Sequence, residues 1–136
     1  MPIVAVAGLP GSGKSHLMDA HEAKGYSRFD DFNVDWGGNM RKMKDHLRHD
    51  RHVIVSDIEF CREDMRQTFE HDLGAQVQWI FLENNPFQCA KNVLYRHFVE
   101  GRSRPWGEEI AKIERLSKTY HPTGDVRPVA IAGTLP

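Results

Sequence analysis

Cysteine is scarce in this chain, net charge is close to zero, and long apolar runs are missing. Cys61 and Cys89 are the two cysteines among 136 residues, and they lack the close spacing of a metal or redox motif. A disulfide-stapled scaffold is thereby excluded, and a reducing, cytoplasmic setting is the expectation. Lys and Arg number 18 against 19 Asp and Glu, a formal charge of -1. No global positive field therefore draws the protein onto nucleic acid or anionic membranes, and any polyanion site has to be local. The opening apolar run, Ile3 to Ala7, stops at Gly8, and no later stretch approaches the roughly 18 apolar residues of a membrane helix. Internal repeats, low-complexity tracts and linkers are absent too. The chain, 40% hydrophobic, reads as one domain over 1–136 with enough length for a proper core.

Short β-branched runs alternate with stretches of helical period, the pattern of βαβ units around a parallel sheet. Strands are expected at Ile3 to Ala7, Tyr26 to Phe29, His52 to Asp57, Val77 to Leu82 and Val126 to Ala132, the last interrupted by Pro128 and so an edge or a bulge. Helices are expected from Lys14 to Lys24 ahead of Gly25, over about 40 to 50 on Met40, Met43 and Leu47, and around Met65, Phe69 and Leu73 ahead of Gly74. Two more open at Pro86 and Pro105, because proline suits a first helical turn. Asp30 to Asn39 and Gly101 to Arg104 are left as loops.

The first strand runs directly into GLPGSGKS, residues 8 to 15. Gly8-x-x-x-x-Gly13-Lys14-Ser15 fits the P-loop pattern, in which glycines let successive backbone N–H groups converge on phosphate oxygens. Gly8, Pro10, Gly11, Ser12, Gly13, Lys14 and Ser15 are the candidate nucleotide-binding residues. The helix beginning at this point adds unpaired N–H groups and a partial positive charge. Lys14 is placed for the β and γ phosphates, and the Ser15 hydroxyl for Mg2+. Asp57, at the end of Val53-Ile54-Val55, is the candidate acid for the Mg2+ shell, with turn or helix capping as the competing role.

GLPGSGKS, the pair in Phe29-Asp30-Asp31-Phe32, the strand VIVSD at 53 to 57 and the later helix ending in Arg96 resemble the kinase domain of bacteriophage polynucleotide 5′-kinase and its small P-loop kinase relatives. The resemblance runs through about residues 1 to 120, although Phe29 stands where that family places an arginine. It implies an α/β, three-layer P-loop NTPase fold, a five-stranded parallel sheet flanked by helices with a short lid. It also implies that Asp30 accepts the proton of the attacking hydroxyl, that lid arginines clamp phosphates, and that Arg127-Pro128 lies where such kinases contact adenine.

Phosphoryl transfer chiefly needs placement and charge neutralisation. Asp30, Asp31 and Asp35 are the candidate carboxylates, and the chosen one is Asp30. Arg96, Arg102 and Arg104 flank Gly101 in a segment suited to fold over a nucleotide, with Arg96 and Arg102 the preferred pair. His46, His49 and His52 read as a polar helix face more than a metal cluster. Trp36 is either a base-stacking platform or core cover. The expected activity is transfer of the γ-phosphoryl group of ATP, with Mg2+, to a hydroxyl or phosphate acceptor: a polynucleotide 5′-hydroxyl, a nucleoside, a nucleotide or a small metabolite. The alternatives are an NTPase switch, for which no Asn-Lys-x-Asp signature is present, and a nucleotide-binding scaffold.

Overall fold

In the computed structural model, which describes residues 2–133, strand β1 (Ile3–Ala7) is buried along its whole length. Successive strand side chains point to opposite faces, so β1 divides the core. Ile3, Ala5 and Ala7 join one apolar cluster, and Val4 and Val6 the other. Strands β2 (Ser27–Phe29), β3 (Val53–Ser56), β4 (Gln78–Leu82) and β5 (Val126–Arg127) complete a sheet of order β2-β3-β1-β4-β5. Every neighbouring pair is parallel, with Ala5 opposite Val55 on one side and Trp79 on the other.

Helix α1 (Lys14–Glu22) covers the Val4 and Val6 face through Leu17 and Met18. Helices α2 (Trp36–Arg48), α3 (Glu63–Leu73), α4 (Pro86–Phe98) and α5 (Trp106–Ser117) cover the other face, contributing Met43, Phe69, Val93, Ile113 and Leu116. Each such side chain stabilises by about 1.5–3 kcal/mol when fully buried. The result is the expected three-layer α/β fold. Because all five strands run the same way, the loops leaving their C-terminal ends gather at one edge, where open α/β sheets bind ligands.

Two elements depart from expectation. Helix α2 begins at Trp36, inside the segment read as loop, after a 3₁₀ turn over Phe32–Asp35. The Asp35 carboxylate caps it, accepting the Gly38 N–H at 3.1 Å, and a Cβ on Gly38 would collide with that carboxylate. Trp36 fixes the start by packing edge-on against Phe32. These gains outweigh the roughly 1 kcal/mol that each glycine costs in a helix. Strand β5 ends at Arg127, five residues earlier than read, because Pro128 has no N–H to continue the ladder. The following amides turn elsewhere: Val129 N donates to Glu83 Oε1, Ala130 N to the Ser12 carbonyl and Ala132 N to Asn92 Oδ1.

Candidate active site

The loop after β1 turns on a Ser12 N–H to Leu9 carbonyl bond of 3.1 Å. Gly11 and Gly13 sit at φ 79° and 101°, in the left-handed region that side chains resist. Neighbours enforce the choice as well: a Cβ on Gly11 would lie 2.6 Å from the Cys89 carbonyl oxygen, and one on Gly13 2.8 Å from Ala130 Cβ. Lys14 curls back over this loop, its Nζ donating to the Gly8 and Leu9 carbonyls at 2.9 Å each. Burial pulls the ammonium below the usual lysine range.

The loop forms one wall of a cleft of about 470 Å³ lined by Pro10 to Ser15. Asp30, Asp31, Arg96, Arg102 and Arg104 share the cleft, so the candidates from distant parts of the chain do converge. Arg96 is half-buried on α4, and Arg102 returns beside it, its N–H donating to the Arg96 carbonyl at 3.0 Å. His97 Nδ1 donates in turn to the Arg102 carbonyl at 2.9 Å. Burial first, and the Arg102 charge second, lower the affinity of Arg96 for its proton. Two guanidinium groups held side by side, with no ion pair of their own among the described residues, favour an anion between them.

The three candidate carboxylates separate in role. Asp35 is committed to capping α2. Asp31, at φ 48°, turns the chain out of β2 and meets Arg104 at 3.9 Å. Asp30 lies between them and the sheet, its Oδ2 accepting from Arg28 Nε at 2.8 Å. Arg28 also pairs with Asp19, and lies 3.8 Å from Glu22, both on α1.

Asp57, the acid expected for the Mg2+ shell, sits behind the cleft rather than in its lining. Its side chain is buried and does not line the cleft; one oxygen accepts the Asn33 N–H and the other the Glu59 N–H, each at 2.8 Å. Burial raises its carboxyl above the ordinary range. The capping role weighed for it is the one its hydrogen bonds fill. Ser15, by contrast, is exposed in the cleft. Among the described residues no three His, Cys, Asp or Glu side chains are grouped to hold a metal. The exposed Ser15 hydroxyl is a side chain that could ligate magnesium, an ion that commonly takes one or two protein ligands beside phosphate oxygens.

Arg127 lies apart from the cleft, paired with Asp125 at 3.1 Å. With Gly13, His16, Leu17, Pro128 and Val129 it lines a separate, mostly apolar depression of about 280 Å³ on the other side of the phosphate loop. Trp36 is core cover: it packs on Phe32 and Phe69, and its Nε1 donates to Asp72 at 2.9 Å. The three histidines are dispersed, His46 to Ser27, His49 to the Asp45 carbonyl, His52 against the Tyr26 ring.

Arg28, Asn92 and Lys112 escaped sequence reasoning. Arg28 was readable in retrospect, since strand alternation puts positions 28 and 30 on one side. Asn92 is buried on α4 and fully satisfied: Nδ2 donates to the Gly11 carbonyl at 2.8 Å and the Ala130 carbonyl at 2.6 Å, while Oδ1 accepts from Ala132 N and Gln88 Nε2. It ties the phosphate loop to the segment after β5. A polar residue on an apolar helix face was its only signal.

No protein-family model matches the sequence. The chain is 33% identical over 103 residues to uncharacterized protein R277 of Acanthamoeba polyphaga mimivirus, covering 70% of this chain and 72% of that protein. Among solved structures, a gluconokinase from Sinorhizobium meliloti 1021 superposes with a TM-score of 0.57 and 23% identity, over 99% of this chain and 85% of that one. At that identity the likeness is one of fold, and it agrees with the P-loop architecture described above. It gives no support to a nucleic-acid 5′ end as acceptor. No helix among the described residues is long and apolar enough to cross a membrane.

Proposed function

We propose that this chain, which belongs to the same family as the mimivirus protein, is a phosphotransferase moving the γ-phosphoryl group of ATP to a hydroxyl-bearing acceptor. The observation that carries the reading is the convergence in one cleft of the phosphate loop, the Arg96 and Arg102 pair and the Asp30 carboxylate. A nucleotide switch has no use for the last of these.

The amides of residues 11 to 15 cradle the phosphate tail, and Lys14 exchanges its two carbonyl partners for β and γ oxygens. The apolar depression beside Arg127 and Pro128 receives the base. The Ser15 hydroxyl would hold a Mg2+ ion, which would supply neutralisation of phosphate charge, and Asp57 is the candidate acid for the outer shell of that ion. Asp30, oriented by Arg28, takes the proton of the acceptor hydroxyl as its oxygen forms the new P–O bond. The bond from the γ phosphorus to the bridging oxygen breaks, and ADP leaves with that electron pair. Arg96 and Arg102 stabilise charge on the transferring group.

The test is incubation with γ-labelled ATP, Mg2+ and a panel of oligonucleotides, nucleosides, nucleotides and sugars. Transfer of label to an acceptor supports the reading. ATP turnover equally fast with and without every acceptor would favour the switch instead.

A further inference from the structure

The charges along the cleft do not cancel. Six cationic side chains line it against three carboxylates, Asp30, Asp31 and Glu109, an excess of three positive charges. Two of the cations are already matched: Arg28 is shared by Asp30 with Asp19 and Glu22 of α1, and Arg104 meets Asp31 and Glu109 at 3.9 and 3.6 Å. Lys14, Arg96 and Arg102 face the triphosphate. Lys112 is left, with no ion-pair partner among the described residues.

Its position separates it from the others. Trp106, Glu109 and Lys112 recur at three-residue steps on α5, so one helix face looks into the cleft. Lys112 thus belongs to the wall contributed by α5, whereas the phosphate-directed cations come from the P-loop, from α4 and from the lid. The cleft, about 470 Å³, is at the lower end of small-molecule pockets and must also hold the phosphate tail. Arg104 spans its mouth from the loop after β2 to α5. Both facts favour a compact acceptor over a polymer.

We infer that the α5 side of the cleft is an acceptor subsite for a small hydroxyl compound that itself bears an anionic group, a carboxylate or a phosphate monoester, which Lys112 pairs with. This rests on the phosphotransferase reading. Lys112 fixes the far end of the acceptor, so its hydroxyl is presented between Asp30 and the γ phosphorus. Its contribution falls on recognition, because the ammonium does not touch the reacting atoms.

The experiment compares matched acceptors with γ-labelled ATP and Mg2+: a polyol, the corresponding sugar acid and the corresponding sugar phosphate, a nucleoside and its 3′-monophosphate, and an oligonucleotide. At least one small anionic member is expected to be labelled with kcat/KM tenfold or more above its neutral counterpart, and comparison of acid with ester identifies the anionic group. Lys112→Met should erase that advantage through KM for the acceptor, and Lys112→Arg should restore most of it. Equal use of neutral and charged members would overturn the inference and leave the kinase reading standing. So would preference for the oligonucleotide, or a folded Lys112→Met protein that keeps the full anionic preference. If no member is labelled although ATP binds, the phosphotransferase reading falls and the acceptor subsite falls with it.

Discussion

Arg28 Nε donates to Asp30 Oδ2 at 2.8 Å, and the same guanidinium also meets Asp19 on α1. The Asp30 bond is the largest reason Arg28 holds its proton more tightly than an ordinary arginine. The pair anchors a carboxylate on a loop to a strand and a helix, which is how a general base is kept oriented. Asp30→Asn should lower transfer by about 10²–10⁴-fold in kcat. Arg28→Met should lower kcat by a smaller factor, with KM for ATP little changed. Initial rates over an ATP series check both; an Asp30→Asn protein at parental kcat would remove Asp30 from the chemistry.

Gly13 is held at φ 101° against Ala130. A Gly13→Ala protein must strain the loop or push away the segment after β5, at a cost on the order of 1–3 kcal/mol. Thermal melts with and without ATP and Mg2+ report the two effects separately, because a ligand stabilises only a site that binds it. The parent should gain in Tm with nucleotide, whereas the variant should melt lower and gain little.

Asn92 joins the Gly11 and Ala130 carbonyls to the Ala132 amide in a buried place. Asn92→Leu leaves those groups without partners, each unpaired buried group costing about 1–3 kcal/mol. Urea unfolding should show a lowered midpoint with unchanged slope. Affinity for ATP should fall too, since the phosphate loop keeps only the Ala130 amide on the Ser12 carbonyl as its tie to the segment after β5.

The thiols of Cys61 and Cys89 are pushed up by burial to about 12 and about 11. An unfolded cysteine titrates near 8.5. The folded state therefore keeps protons that the unfolded state loses, so the thiols' contribution to stability is intact below about pH 8.5 and declines as pH rises toward the folded values. The slope is at most about 1.4 kcal/mol per pH unit for each thiol. Denaturation midpoints from pH 8 to 10 should fall less in Cys61→Ala than in the parent. At pH 8 a thiol reagent should label neither residue until denaturant is added.

What sequence conveyed about this molecule was whatever depends on local chemistry. The phosphate loop, the strand preceding it, Pro86 opening α4 and Gly74 closing α3 all follow from short-range backbone rules, and each is found where expected. Arg96, on α4, and Arg102, in the loop after it, were singled out by their charge around Gly101, and both line the cleft. What escaped depends on packing between distant segments. Asp35 looked like a third acid until the helix it caps was seen to start through two glycines. Asp57 also takes the Asn33 amide, 24 residues away, a tie that no local pattern announces. Lys112 carries no local sign of facing the cleft; only the placement of α5 puts it there.

The most direct measurement is calorimetric titration of ATP with Mg2+ into the parent protein and into Lys14→Ala. Lys14 Nζ, held on the Gly8 and Leu9 carbonyls, is the charge that the phosphate tail is expected to meet. The expected result is saturable binding by the parent, lost or weakened at least tenfold in a variant that remains folded by circular dichroism. Parental affinity in a folded Lys14→Ala protein, or no binding by the parent itself, would contradict the assignment of this loop to a triphosphate.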